Sequence, residues 1–316
     1  MVSRKAVLRY HDIYPYSVSE IVDYYSEWVS EDKYMILNRM DLRTYESEVF
    51  AVKCSKRGND VYRHRVYSRF KDLASLAEKT VFFNPKDRNR DKKTRALFVT
   101  LTYDTNLCPF DEAWKNIGVE FNRFMSYVRK KFGKVSCCRV FEAFSNGHPH
   151  IHCVLLFEEK EFKVFRDKKG QFRIKEKCAI AAWWHSHTDV KAMGSLGWGF
   201  AYLKQYLLKS INGENKDSKA LKTLALGWLF NKRAFSVSGK FRQMLIDLIK
   251  TKHNSNHKTQ QTTLNGEIIQ EYTYYVLGFV PADVVRLKTD VWFSKLSNEK
   301  IDLAEKYLRE SLRSRV

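Results

Sequence analysis

The 316-residue sequence has no run of 18 or more apolar residues, which excludes an ordinary transmembrane helix. Its start, MVSRKAVLRYHD, lacks the apolar stretch of a signal peptide, so the expected location is cytoplasmic, with no membrane partner. The six cysteines (Cys54, Cys108, Cys137, Cys138, Cys153, Cys178) form no C-x-x-C pair and no zinc spacing, and read as reduced packing thiols. No G-x-x-x-x-G-K-[ST] stretch is present, which argues against a P-loop motor. Internal repeats and long low-complexity tracts are also missing.

What is abundant is positive charge. Lys and Arg number 56 against 36 Asp and Glu, a net charge of +20 with a pI near 9.6. Such an excess attracts polyanions through counterion release. It is uneven: Lys53–Arg95 holds 14 Lys/Arg against 5 Asp/Glu, interleaved with Tyr62, Tyr67, Phe70, Phe82 and Phe83. Basic residues among aromatics suit a surface that tracks a nucleic-acid strand, with Arg57, Arg63, Arg65 and Arg95 as candidate contacts. No basic amphipathic helix with a clean apolar face accompanies the charge, so nucleic acid is favoured over a membrane surface.

Pattern along the chain predicts three segments. Residues 1–92 form a basic N-terminal region with helical stretches such as Val18–Val29, ending in the turn-rich, charged Asn84–Thr94. Residues 93–212 form a compact block. There Ala96–Tyr103, Val135–Phe144 and Pro149–Phe157 read as strands, Phe110–Phe132 as a helix, and Phe162–Phe165 with Gln171–Ile174 as a small hairpin. Cys178–His185 reads as a short helix, Thr188–Met193 as a strand and Trp198–Lys209 as a helix. Residues 213–316 form a C-terminal, mostly helical accessory region. Residues 220–250 look helical, His253–Gly266 is a polar loop, and a strand-like Tyr272–Val280 precedes a charged terminal helix. The expected class is α+β: an antiparallel β-sheet flanked by helices, with mostly helical extensions at both ends.

The sharpest chemical signal is FEAFSNGHPHIHCVLLF. His150 and His152 are two apart, so on a strand both imidazoles point to one face. The hairpin turn falls near Asn146, and pairing across it puts Glu142 opposite His150 or His152, on their face. Two imidazoles and a carboxylate make a three-ligand site with open positions, an N/O set suited to Mn²⁺, Co²⁺ or Zn²⁺ and less naturally to Mg²⁺. His148 with His150 is an alternative pair, although a proline separates them, and His185 with His187 offers another. An isolated H-x-H is also common as ordinary surface or core filler.

Farther on, GWGFAYLKQYLLKS sets Tyr202 and Tyr206 four apart, hence on one helical face about 6 Å along the axis. Lys204 and Lys209 share that helix. A tyrosine hydroxyl is a poor nucleophile at a pKa near 10 and needs a nearby cation. Viewed alone, such a pair is more often a core-facing aromatic stripe. The two signals join only if the histidine strand and the tyrosine helix meet on one face of the sheet.

Taken together, FVTLTY (Phe98–Tyr103), Glu142 with GHPHIH (Gly147–His152) and YLKQYLLK (Tyr202–Lys209) resemble the three motifs of the HUH endonucleases. Within these, the closest likeness is to rolling-circle replication initiators of archaeal plasmids and viruses. The likeness covers roughly residues 96–210. CSKRGNDVY and WLFNKRAFSVSG look, more loosely, like flanking segments of crenarchaeal plasmid replication proteins. The resemblance implies an HUH/ferredoxin-like palm and a site-specific nickase and strand transferase acting through a 5′-phosphotyrosine intermediate. It implies that His150, His152 and Glu142 bind a divalent metal (Mn²⁺ or Mg²⁺) and that Tyr202 and Tyr206 are nucleophiles. Where the family pattern has a lysine between the tyrosines, this chain has Gln205, which leaves Lys204 or Lys209 to orient the phosphate. The implied partners are single-stranded origin DNA, its flanking duplex, and a host helicase and polymerase. A transposase of the same chemistry, or a nucleic-acid-binding regulator without catalysis, remains an alternative.

Overall fold

The computed structural model describes residues 3–87, 91–211, 218–257, 263–264, 267–268, 272–288 and 290–313. The chain divides into two units, each assembled from two separate stretches rather than from three successive segments. The first comprises residues 1–26 and 63–247, the second residues 27–62 and 248–316. The class is α+β, with antiparallel sheets flanked by helices.

The first unit is built on a five-stranded sheet. In spatial order its strands are Phe235–Ser238, Val135–Ala143, Pro149–Phe157, Ala96–Thr102 and Thr188–Ala192, each antiparallel to its neighbours. The middle strand, PHIHCVLLF, is almost wholly buried because both faces of the sheet are covered. One cover is helix Phe110–Phe132, whose Trp114, Ile117, Phe121, Phe124 and Val128 are buried at the spacing expected from sequence. Asp111 and Glu112 in its first turn and Arg129, Lys130 and Lys131 in its last complement the helix dipole.

The other cover is helix Leu196–Ile211. Gly199 brings it close to the sheet: a β-carbon there would lie 3.1 Å from Cγ2 of Val154. Helix Ser218–Leu229 packs beside it and anchors the sheet, with Thr223 Oγ1 accepting the Ala143 N–H at 2.9 Å.

Several elements differ from the sequence reading. The stretch 220–250 is not one helical region. It is two helices, Ser218–Leu229 and Lys240–His257, separated by the edge strand Phe235–Ser238. FSVS alternates its side chains, and Gly239, at φ +63°, breaks the chain before the next helix. The boundary expected after Ser210 falls mostly on residues 212–217, outside the described residues, yet both flanking helices belong to the first unit. Part of the polar loop 253–266 also lies outside them, while 253–257 continue a helix. Within the basic segment, Phe70 and Phe83 are core residues, 1% and 8% exposed, not part of a surface track. All six cysteines are free thiols.

The second unit carries a four-stranded antiparallel sheet in the order Tyr272–Pro281, Lys33–Asp41, Ser47–Lys53, Phe293–Lys295. Tyr34, Ile36, Ala51, Val280, Val285 and Leu296 form its core with Ala304 of the terminal helix Asn298–Arg313. Buried Lys53 is held 2.9 Å from both Asp32 and Asp60.

Candidate active site

The hairpin Val135–Ala143/Pro149–Phe157 turns through Ser145, Asn146 and Gly147. Gly147 adopts φ +89°, a left-handed conformation that favours glycine, and a β-carbon would strike Cγ2 of Val18 at 2.6 Å. The indole of Trp114 donates to its carbonyl at 2.8 Å and pins the turn to the long helix. This fixes the register, with Glu142 directly opposite His150 and His152 one pair farther on.

The consequence is a convergent cluster. Nε2 of His150 lies 2.8 Å and Nε2 of His152 3.0 Å from the same Glu142 oxygen, Oε2. All three residues are buried, and their candidate ligand atoms lie within 4.8 Å of one another. Among the described residues this is the one group of three or more that can hold a metal ion. Burial pushes the Glu142 carboxyl up, but hydrogen bonds from the two imidazoles outweigh it and hold the group well below the usual carboxylate range. Burial also depresses His152, to about 4. On its other side, Nδ1 of His152 is 3.1 Å from Thr100 Oγ1 on the neighbouring strand.

The alternative histidines are elsewhere. Nε2 of His148 faces the Cys108 carbonyl at 3.0 Å. His185 sits in a bend beside Tyr103, 3.4 Å from Glu120, and His187 lies in the same irregular segment.

Helix Leu196–Ile211 lies over this face of the sheet. The ring of Tyr206 stacks on His152, centroids 3.5 Å apart and planes at 19°. Tyr202, one turn earlier, meets Phe98 edge-on at 4.7 Å. The imidazoles and the phenols therefore share one side of the sheet, the arrangement on which the sequence argument depended.

The two phenols differ in their surroundings. Lys191 Nζ donates to the Tyr202 hydroxyl at 3.2 Å, and the Tyr206 hydroxyl also donates to it. Burial raises the Tyr202 pKa, but these hydrogen bonds and the Lys191 charge bring it below the ordinary tyrosine value. For Tyr206, burial and its hydrogen bond to Tyr202 act together and push it well up. Lys191 is itself 3.7 Å from Asp189, whose other oxygen is bound by Arg173.

Lys191 and Asp189 escaped the sequence reading. They stand two apart on the strand Thr188–Ala192, paired with Phe98 and Thr100, and so face the same side as the histidines. Their alternation was available as a signal, but nothing in the sequence says which strand lies next to the first.

The other expected site residues are spread out. Lys209 reaches to 3.9 Å of Glu142 Oε1. Lys204 is two residues from each tyrosine, hence turned to the far side of the helix, with Nζ 5.3 Å over the Tyr67 ring. Arg63 and Arg65 ride on helix Asp60–Glu78, and Arg95 is paired with Glu161 at 3.1 Å. Arg57 belongs to the second unit, over the Tyr62 ring at 5.8 Å.

Among the described residues, no helix is long and apolar enough to cross a membrane. Comparison with curated proteins gives no match, and comparison with solved structures gives none either. One family model does match, and it spans the stretch that holds both the histidine hairpin and the tyrosine helix: residues 96–211 are similar to the ORF2-type family of replication-associated proteins.

Proposed function

We propose that the chain initiates rolling-circle replication by cutting and rejoining single-stranded DNA through a tyrosine, with Tyr202 acting first. The observation that carries this reading is the stacking of the tyrosine helix on the Glu142–His150–His152 cluster, with Tyr202 hydrogen-bonded by Lys191. The match to a replication-associated family supports it.

Glu142, His150 and His152 fit a divalent cation such as Mn²⁺ or Mg²⁺: three donors converge from two adjacent strands, buried and already oriented. A cation bound there would supply a Lewis acid that polarises the scissile phosphate. Thr100 fixes the His152 ring from behind.

Lys191 favours the ionised form of the Tyr202 oxygen, so its proton is lost to water at lower cost. That oxygen bonds to phosphorus, the bond from phosphorus to the 3′ oxygen breaks, and the departing oxygen takes a proton to become a free 3′-OH. The 5′ phosphate stays on the tyrosine. Tyr206, protonated and hydrogen-bonded to Tyr202, is positioned to attack in a second exchange that releases a closed strand. Unwinding and extension fall to a host helicase and polymerase, and Arg57, Arg63, Arg65 and Arg95 are proposed contacts for flanking DNA.

The test is incubation of the full chain with single-stranded origin DNA and Mn²⁺, followed by a denaturing gel. A covalent adduct that maps to Tyr202 is expected. Absence of adduct with every divalent metal, or an adduct that survives in the Tyr202→Phe/Tyr206→Phe double variant, overturns the reading.

A further inference from the structure

Arg139 lies on the strand Val135–Ala143, between Cys153 on one neighbour and Ser236 on the other. It points to the side opposite Glu142, under helix Phe110–Phe132. Its guanidinium sits 4.3 Å from the Phe121 ring centroid and 5.2 Å from that of Phe141. Nη1 is sealed from solvent and has no hydrogen-bond partner. Among the described residues no carboxylate forms an ion pair with it. Two aromatic faces offset part of the cost of withdrawing a cation from water, but a charge so placed calls for an anion.

The surroundings are built to receive one. Arg139 lines a cleft of about 210 Å³ together with Arg129, Asn122, Ser236 and Ser238. Arg129 is held by its bonds to Ser238 Oγ at 3.1 Å and to the Val135 carbonyl at 3.3 Å. The lining thus offers two guanidinium groups, an amide and two hydroxyls, and no acid. Lys232 lies close enough for the Arg139 charge to depress its pKa, in addition to burial, so a third cation adds to the same field.

The geometry points to a phosphate-binding cleft on the long-helix side of the sheet, with Arg139 and Arg129 supplying charge and Ser236, Ser238 and Asn122 supplying donors. Donors arriving from several directions suit a tetrahedral anion better than a planar carboxylate, and guanidinium forks match phosphate oxygens. The phosphate is either a phosphodiester of bound DNA or a free phosphate group. Because the cleft is on the face away from Tyr202, this inference does not rest on the nuclease reading.

The experiment is thermal melting of the full chain while sodium phosphate replaces sodium chloride at matched ionic strength. A saturating rise in Tm is expected with phosphate, since a ligand that binds only the folded chain stabilises it. In Arg139→Met the rise should vanish, and in chloride alone this variant should melt no lower than wild type, because an unpaired charge has been removed. No phosphate-specific rise, or an equal rise in Arg139→Met, overturns the proposal. If that variant does not fold, Ser238→Glu, which sets a carboxylate beside Arg129, must abolish the rise instead. Displacement of a labelled single-stranded oligonucleotide by phosphate in wild type, together with a salt slope of DNA binding lowered by about one in Arg139→Met, identifies the source as DNA. Phosphate binding without displacement identifies free phosphate.

Discussion

Glu142 and Arg139 stand three residues apart on one strand and point to opposite faces of the central sheet. Glu142 is satisfied from within the chain: two imidazoles reach one of its oxygens and Lys209 approaches the other. The same face carries a linked series in which Arg173 holds Asp189, Asp189 faces Lys191, and Lys191 donates to Tyr202. Arg139 has two rings and no counter-charge. A charged group with internal partners is oriented before any ligand arrives, and disturbing it costs both order and stability. A charged group without them weakens the fold until a ligand from outside completes it. The difference marks one face as prepared for chemistry and the other as prepared for binding.

The strongest way to break that contrast is at the phenols. Tyr202→Phe should slow covalent adduct formation on single-stranded DNA by on the order of 10³-fold or more, the scale expected when a nucleophile is removed. Tyr206→Phe should keep the first cut and lose the second exchange, read as adduct that forms but does not resolve into rejoined strand. If the two variants behave the other way round, the Lys191 bond does not select the first nucleophile.

Lys191→Met comes next. It should slow the first cut by roughly 10- to 100-fold at neutral pH, as expected when a pKa returns by one to two units toward its ordinary value. The defect should shrink as pH rises toward the ordinary tyrosine pKa, because the phenol then ionises without help. A pH–rate profile checks this. A deficit constant across pH would reduce Lys191 to a packing role.

Stability against pH, measured by chemical denaturation in EDTA, offers a third probe. His152 is held at about 4 against an ordinary 6.5, so between those values the folded chain binds fewer protons than the unfolded one. Stability should therefore rise with pH across that window, and the fall from pH 6.5 to 4 should cost about 3 kcal/mol. Glu142 is also depressed, so its contribution is present above the ordinary carboxylate pKa and is lost further into acid. His152→Gln should flatten the slope between pH 4 and 6.5, whereas Arg139→Met should leave it intact. A flat profile in the wild type would mean that His152 is not withdrawn from water as the geometry requires.

How much of this was legible in the sequence follows the range of the interactions involved. His150, His152 and Glu142 are joined by one tight hairpin, so strand period and the turn at Gly147 were enough to bring them together. Tyr202 and Tyr206 share a face by helical period alone. That their helix covers the histidine face rather than the other depends on Gly199 meeting Val154, a long-range fit that no local pattern encodes. Lys191 belongs to a strand whose neighbour was undetermined. Arg139 lacked its setting because Phe235–Ser238, four residues between two helices, was read as helical and yet forms the wall of the cleft. In the second unit, Lys33–Asp41 and Ser47–Lys53 pair with each other and with Tyr272–Pro281, a partner more than 200 residues away. Reading residues 1–52 through their helical stretches therefore missed the sheet.

The smallest expected effect is the most selective test of how far preparation of the catalytic face extends. Thr100 and Thr102 occupy successive inward positions on the strand Ala96–Thr102, opposite His152 and His150 respectively. Thr100 Oγ1 is 3.1 Å from Nδ1 of His152, whereas Nδ1 of His150 is buried without a partner. Valine has nearly the same shape as threonine and suits a strand, so neither Thr→Val change should disturb the sheet. Thr100→Val should weaken Mn²⁺ binding by about tenfold, since the ring loses the bond that fixes its tautomer and orientation. Thr102→Val, matched in position and chemistry, should leave the affinity within error of wild type. Equal losses in both variants would mean that polarity near the cluster matters and orientation does not, and the claim of a pre-oriented His152 would fail at the point where it is most specific.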